Sequence, residues 1–238
     1  MKNKVPVPKC GESDKRNRLY EETYEPKKFY KNLIKSTSPI IFDVGAHKGE
    51  SINFFKSIFP RSLIYSFEPN PNNFTELDKV SKKFKTKAFQ KAISNKTGSI
   101  DFFSQGISHL GGLLPIKSDS KDSLGYSINA PNNLIRVESV TLNKLTRDIG
   151  ITNIDILKID VQGFELGVLK GASKILKNTN IVVVEISLYD FYGDNSKNWF
   201  LVNAFLGKYS FELWDIAKLS KNPKNLRTDW AELVFRKV

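Results

Sequence analysis

The sequence predicts an α/β protein: a doubly wound, mostly parallel sheet with helices on both faces, closed by an antiparallel pair of strands. Three observations lead there. Short runs rich in Ile, Val, Leu and Phe alternate with amphipathic helical stretches along most of the chain, the pattern of strand–helix–strand units. Acidic residues and glycines recur where those strands end, the place where such sheets bind ligands. The chain has 238 residues, 40% of them hydrophobic, enough for one sizeable core, and its single cysteine excludes a disulfide scaffold.

The elements follow in order. Residues 1–26 are polar and proline-bearing, an extended lead-in, and Phe29, Tyr30, Leu33 and Ile34 then recur at helical spacing. Together residues 1–37 read as a basic N-terminal extension ending in a short helix, with the main domain over 38–238. Pro39 stops the helix. Ile40–Val44 is a buried strand, followed by the loop Gly45–Gly49 and a helix that Pro60 ends. Leu63–Phe67 is the second strand, and Asn70-Pro71 opens a helix with Phe74, Leu77 and Val80 on its buried side. Thr86–Ile93 is expected as the third strand.

The rhythm breaks over residues 94–133, where five glycines and many Ser and Asn surround one short strand at Ser99–Phe103. A segment this long inside a compact domain reads as a variable insertion or lid. Regular structure resumes with a strand at Arg136–Thr141, a helix at Leu142–Ile149, a strand at Asp155–Ile159 and a helix from Phe164 to Leu176. A strand at Ile181–Ser187 and a helix at Ser196–Leu206 precede the closing pair, Phe211–Asp215 with Glu232–Phe235.

The formal charge is +12, from 37 Lys+Arg against 25 Asp+Glu. Residues 1–35 carry ten basic and five acidic groups and residues 216–238 six and two, which leaves the central body near balance. A groove-reading nucleic-acid domain more often carries its basic stripe within the fold. Nucleic acid is therefore disfavoured as a partner, although Tyr20, Tyr24, Phe29 and Tyr30 interleave with Lys and Arg. No apolar run approaches the roughly 20 residues of a membrane span, and no secretory h-region is present, so the expectation is a cytoplasmic protein. Two histidines and one cysteine exclude a His- or Cys-rich metal centre, and no metal ligand set is expected.

Three strand tips carry the chemistry. Phe42 to Ser51 reads FDVGAHKGES between a strand and a helix. Gly45 permits a tight turn, Gly49 would let the backbone approach a ligand at the helix N-terminus, and Asp43 at the strand end would accept from an ammonium or from loop amides. The spacing lacks the G-x-G-x-x-G of nicotinamide sites and suits a ligand with a charged amino-acid end, which disfavours a dehydrogenase. Glu68, in Phe67-Glu68-Pro69-Asn70, ends the second strand, where an acidic side chain accepts both ribose hydroxyls. Asp160, in LKIDVQGFE, projects into the same crevice, with Lys158 on its face of the strand and Glu165 in the first turn of the next helix. Glu185, in VVVEI, is a carboxylate among apolar neighbours and needs a partner or a shifted pKa.

The ordered set FDVGAHKG, SFEPNP, LKIDVQGFELGVLKGA and VVVEI, over about residues 38–190, resembles the FkbM-type S-adenosylmethionine-dependent methyltransferases. The resemblance implies a class I, Rossmann-like fold of seven strands with the last antiparallel, S-adenosylmethionine as cofactor, and methyl transfer to a hydroxyl of a sugar, glycan or secondary metabolite. It implies that Asp43, Gly45, Ala46, His47, Gly49 and Ser51 surround the methionine end of the cofactor. Glu68 would bind the ribose, Pro69 and Asn70 would flank the adenosine, and Ala92 and Ile93 would lie along the adenine. Asp160 would sit near the reacting methyl. The chain departs from the family's pattern at Gln162, where a Glu is usual, and at Thr141-Leu142-Asn143, where Asp-x-Leu is common.

A sugar hydroxyl needs a general base, and the candidates are His109, Asp160 and Glu185, with His109 first because its ordinary pKa suits the task. The acceptor is a small molecule or glycan, and the flank charge would suit an anionic one. Two other readings remain open: an RNA-modifying or nucleic-acid-binding protein using the basic flanks, and a non-catalytic cofactor-binding module, which Gln162 keeps in view.

Overall fold

The structure, a computed structural model, describes residues 26–104, 108–117, 133–189, 191–193, 198–222 and 224–238. The chain divides into two compact units, Met1–Thr37 and Ser38–Val238. In the first, the described element is helix α1 (Pro26–Leu33), in which the Phe29 and Tyr30 rings meet edge to face. Tyr20 and Tyr24, the other aromatic residues of that basic stretch, lie outside the described residues.

The second unit is built on a seven-stranded sheet. Strand β1 (Ile40–Val44) is followed by α2 (Glu50–Ile58), β2 (Leu63–Phe67), α3 (Pro71–Phe84) and the short β3 (Lys87–Phe89). Strand β4 (Ala92–Ile93), β5 (Gly98–Ser104) and β6 (Asn133–Val140) form a separate three-stranded sheet. Helix α4 (Leu142–Asp148), β7 (Ile154–Ile159), α5 (Glu165–Gly171), β8 (Thr179–Ser187), α6 (Asn198–Gly207), β9 (Phe211–Lys221) and β10 (Thr228–Lys237) complete the chain.

The order across the large sheet is β3-β2-β1-β7-β8-β10-β9. All neighbours run parallel except β10, which is antiparallel to both β8 and β9. The chain steps outward from β1 to β3, then restarts on the other side of β1 with β7. That reversal opens a crevice at the carboxyl ends of β1 and β7, the point at which an open α/β sheet receives its ligand. Both strands are covered on both faces, which explains their unbroken apolar runs: Ile41, Phe42, Ile156, Leu157 and Ile159 are fully buried. Each such side chain contributes roughly 1.5–3 kcal/mol by leaving water. The single polar exception within β1, Asp43, is a functional clue for the same reason.

Two predicted elements are cut short. The expected strand Thr86–Ile93 is two strands in two sheets. Phe89 O accepts from the Lys91 amide (2.9 Å) and the Glu68 amide (3.1 Å), a tight reversal that sends Ala92 and Ile93 away to pair with Ser139 and Val140 of β6. The expected helix Phe164–Leu176 ends at Gly171, and a 3-10 turn at Ile175–Asn178 follows. A Cβ on Gly171 would stand 2.1 Å from Ser94 O, so the helix ends where it meets the backbone of the small sheet. Asn143 accepts from the amides of Lys174 (2.9 Å) and Ile175 (3.1 Å) and so starts that turn.

The closing hairpin is longer than the sequence suggested. The basic C-terminal flank forms the end of β9 and all of β10, and three of its basic side chains pack on the body of the domain. Lys237 Nζ donates to Leu176 O (2.9 Å), Arg227 stacks on Tyr189 at 5.1 Å, and Arg236 lies 4.5 Å over Trp214. Among the described residues, no helix is long and apolar enough to cross a membrane.

Candidate active site

The β1–α2 loop is held by three left-handed residues, Gly45 (φ 82°), His47 (φ 47°) and Gly49 (φ 94°). The amides of Gly45 and Ala46 both donate to Phe67 O at 3.0 Å, tying the loop to the tip of β2. A Cβ on Gly45 would lie 1.8 Å from Asp160 O, so glycine lets the loop rest on the tip of β7. Gly49 serves a different purpose from the one expected. Its Cβ would meet Val80 at 3.1 Å and Leu77 at 3.3 Å, so it brings α2 against α3 and does not line the crevice.

Beneath this loop, Asp43 is fully buried, and apart from the nearby Ser51 side chain, which acts to lower its pKa, its carboxylate oxygens meet no donor among the described residues. Its nearest cation is Lys158 Nζ, 4.0 Å from Oδ1. Burial pushes the Asp43 carboxyl up to about 6, against the attraction of Lys158. A buried acceptor left short of donors is costly, and it marks a site with capacity for a further donor.

Glu68 turns back from the tip of β2 into the crevice. Its Oε2 accepts from the His47 amide (3.0 Å) and its Oε1 from the Asn70 amide (2.9 Å). The Asn73 side chain also hydrogen-bonds this carboxylate, which lines the crevice with acceptor capacity remaining. Burial raises its pKa to about 7, with the two amides pulling the other way. Two oriented acceptors side by side match a vicinal diol, and with Asp43 they fit the donor expected from the sequence: a ribose at Glu68 and an amino-acid end near Asp43.

At the tip of β7, Asp160 Oδ2 lies 3.4 Å from Lys158 Nζ, and Oδ1 accepts from Gln162 Nε2 at 2.8 Å. Gln162 is itself left-handed (φ 55°), and its Oε1 accepts from the Tyr192 hydroxyl at 2.7 Å. Gln162 therefore bridges Asp160 to Tyr192, a task for one donor and one acceptor that a Glu carboxylate could not perform. Glu165 supports the turn from behind, with Oε1 accepting from the Gly163 amide (2.8 Å) and Oε2 from Asn198. It is fully buried, and burial raises its pKa to about 7. Its role is structural.

Beyond Lys158 the charges continue across the sheet. Asp43 pairs in register with Lys158, Glu185 of β8 stands directly opposite Glu232 of β10, and Glu232 stands opposite Lys218 of β9. Burial works against the charge of Lys158, yet Asp160, Asp43, Glu232 and Glu185 together hold it above the ordinary lysine range. Burial, then Asp160, raises Glu185 to about 7, and burial also raises Glu232.

Two adjoining cavities meet along this row. The first, about 360 Å³, is lined by Gly45, Ala46, His47, Ser51, Glu68, Pro69, Ala92, Ile93 and Asp160 among others. The second, about 410 Å³, is walled by Tyr189, Phe191 and Trp230. His109, Gln162, Glu185, Lys218 and Glu232 line both. His109 stands on a 3-10 turn (Ser108–Leu110), where burial, then the proximity of His47, lowers its pKa. The segment after it is anchored by paired hydrogen bonds between Phe103 and Gly112 (2.8 and 3.1 Å).

Most of the residues expected from the sequence thus share one crevice, while Asp43 lies buried behind it and lines neither cavity. Asn70 stands apart: its side chain accepts from the Asn72 amide (3.0 Å) to cap α3 and donates to Ser104 (3.3 Å), while Asn73 lines the crevice instead. Ala92 and Ile93 reach it from the small sheet and not from the end of the third strand. Of the aromatic residues that follow β8, Tyr189 and Phe191 line the second cavity, Tyr192 is buried beneath Gln162, and Trp199 packs on the core. Sequence reading missed Lys218, Trp230 and Glu232. The available signal was the alternation in Thr228–Lys237, which puts Trp230 and Glu232 on one face of a strand. Residues 105–107 and 118–132 of the expected lid lie outside the described residues.

A parallel sheet reversing between β1 and β7, an antiparallel β10 inserted before the edge strand, and acidic residues at the tips of β1, β2 and β7 define a class I methyltransferase fold. Residues 43–213 match the Methyltransferase FkbM domain, and the chain belongs to that family. It is an S-adenosylmethionine-dependent methyltransferase. It is 28% identical over 182 residues to the 2-O-methyltransferase NoeI of Sinorhizobium fredii, an alignment covering 68% of each chain. It is 23% identical over 147 residues to the hexuronic acid methyltransferase AglP of Haloferax volcanii, covering 62% of this chain and 55% of that one. Among solved structures, the FkbM methyltransferase of Methylobacillus flagellatus superposes with a TM-score of 0.56 at 15% identity, over 92% of this chain and 50% of that one.

Proposed function

We propose that the protein transfers a methyl group to a hydroxyl of a sugar or glycan. The observation that carries this reading is the second cavity, which opens from the donor crevice and combines aromatic walls with carboxylates and a lysine. Aromatic faces suit the C–H face of a pyranose, and paired carboxylates suit its hydroxyls. The names of the two curated relatives, a 2-O-methyltransferase and a hexuronic acid methyltransferase, support it.

In this reading Glu68 holds the donor's ribose, Asp43 and the Gly45–His47 backbone face its amino-acid end, and Ala92 and Ile93 lie along the base. The donor supplies an electrophilic methyl on a sulfonium, so the chain's tasks are alignment and removal of the hydroxyl proton. A cytoplasmic setting belongs to the same reading and suits a chain with one cysteine.

The test is transfer of radiolabelled methyl from S-adenosylmethionine to a panel of methyl glycosides of hexoses, 6-deoxyhexoses and hexuronic acids. Label in a glycoside supports the reading. Label entering only RNA, with every glycoside refused, contradicts it.

A further inference from the structure

We propose that Glu185 and Glu232 act as one proton-accepting pair for the acceptor hydroxyl, placed at the junction of the two cavities. This deepens the reading above and rests on it.

The placement comes first. Glu185 and Glu232 are exact cross-strand partners of β8 and β10, so their side chains leave the same face of the sheet side by side. Both line the donor crevice and the acceptor cavity. Among the described residues three others do so: Gln162 has no proton-accepting nitrogen or carboxylate, Lys218 is a cation, and His109 is the remaining alternative. Asp160 lines the donor crevice alone and is occupied by Lys158 and Gln162.

Two carboxylates in direct opposition cannot both ionise cheaply, so such a pair holds one proton between them and presents one basic oxygen. The groups that face Glu185 are Lys158 and Asp160 on β7, Lys218 on β9 and Glu232 on β10. The two lysines flank the pair from either side. They keep one member ionised, while Glu232 and Asp160 keep the other protonated. Burial, then Asp160, raises Glu185 to about 7 against the pull of the two lysines, and burial raises Glu232 against the same two cations, which suits a base at neutral pH. Burial and His47 displace His109 the other way.

In the transfer, the acceptor's O–H bond breaks and its proton passes to the pair. The oxygen's electron pair forms the new O–C bond, and the carbon–sulfur bond breaks with its electrons left on sulfur as a neutral thioether. The pair then returns its extra proton to solvent through the open cavity.

Carboxyl carbon NMR of glutamate-labelled protein tests the pairing without any acceptor. Two linked titrations are expected, one above pH 6, and Glu232→Gln should shift that of Glu185 downward. Glu185→Gln and Glu232→Gln should each lower kcat at least about 100-fold on a glycoside that the unaltered enzyme methylates, with S-adenosylhomocysteine affinity and melting temperature retained. His109→Gln should leave the acidic limb of the pH–rate profile in place, whereas its disappearance would assign the base to His109 and overturn the pair. Independent titrations in the ordinary carboxylate range, or full turnover in either glutamine variant, would overturn the pair. Failure of the unaltered protein to bind S-adenosylhomocysteine would instead overturn the donor assignment and leave the titrations readable.

Discussion

Gly45 and Asp160 touch through their backbones: a Cβ on Gly45 would fall 1.8 Å from the Asp160 carbonyl oxygen, at a φ of 82° that side-chain-bearing residues avoid. This contact joins the tips of β1 and β7 and sets the floor of the donor crevice. Gly45→Ala must therefore separate the two strand tips. The expected loss is about 3 kcal/mol or more of stability, read by denaturant unfolding, with loss of S-adenosylhomocysteine binding. An alanine variant with unchanged stability would show that the loop does not need this approach.

The bridge of Gln162 between Asp160 and Tyr192 makes the departure from the family's usual Glu a testable feature. Gln162→Glu places a second carboxylate where Nε2 now donates to Asp160 at 2.8 Å. One of the two carboxyls must then retain a proton. Turnover is expected to fall about tenfold at pH 8 and to recover as pH drops toward 6, measured as a pH–rate profile. A variant with an unchanged profile would detach Gln162 from the site.

Glu165 gives a stability prediction. Its folded pKa, about 7, is raised above the ordinary value of 4.5, so its contribution is fully present below pH 4.5 and is lost as pH rises through 7. Glu165→Gln removes that titration while leaving an acceptor for the Gly163 amide. Relative to the unaltered protein, the variant should gain on the order of 1–3 kcal/mol between pH 5 and pH 8, seen in urea unfolding at the two pH values. Parallel stability curves would contradict the assignment.

Trp230 should serve the acceptor alone. It forms an edge-to-face cluster with Tyr189 and Phe191, at 6.1 and 5.6 Å between ring centres, in the wall of the second cavity. Trp230→Ala is expected to raise the acceptor KM about tenfold or more while leaving S-adenosylhomocysteine affinity within twofold, by steady-state kinetics and calorimetry. Loss of donor affinity would place the residue elsewhere.

That the residues proposed for the donor would gather in one crevice was legible because they sit on local signals: a glycine turn after an apolar strand, and single carboxylates at strand tips. The same signals placed Gly49 and Asn70 at a crevice that neither lines. Both residue types also serve helix packing and capping, and only the position of α3 distinguishes these uses. The acceptor half was far less legible. Glu185 stands opposite Glu232 through a pairing that spans 47 positions in sequence, and nothing local records it. Lys218 and Trp230 sit in a hairpin with three register shifts, which blurs the alternation that would reveal their common face. The third strand was overextended because Lys87–Ile93 carries no Gly or Pro, and the turn at Gln90-Lys91 is made by backbone hydrogen bonds to Phe89 O.

The most direct test of the donor site is calorimetric titration of S-adenosylhomocysteine into the unaltered protein and into Glu68→Ala. Binding by the first and no measurable binding by the second, with both folded by circular dichroism, is the predicted result. Equal affinity in the two proteins would contradict the assignment of Glu68 to the ribose and, with it, the placement of the donor.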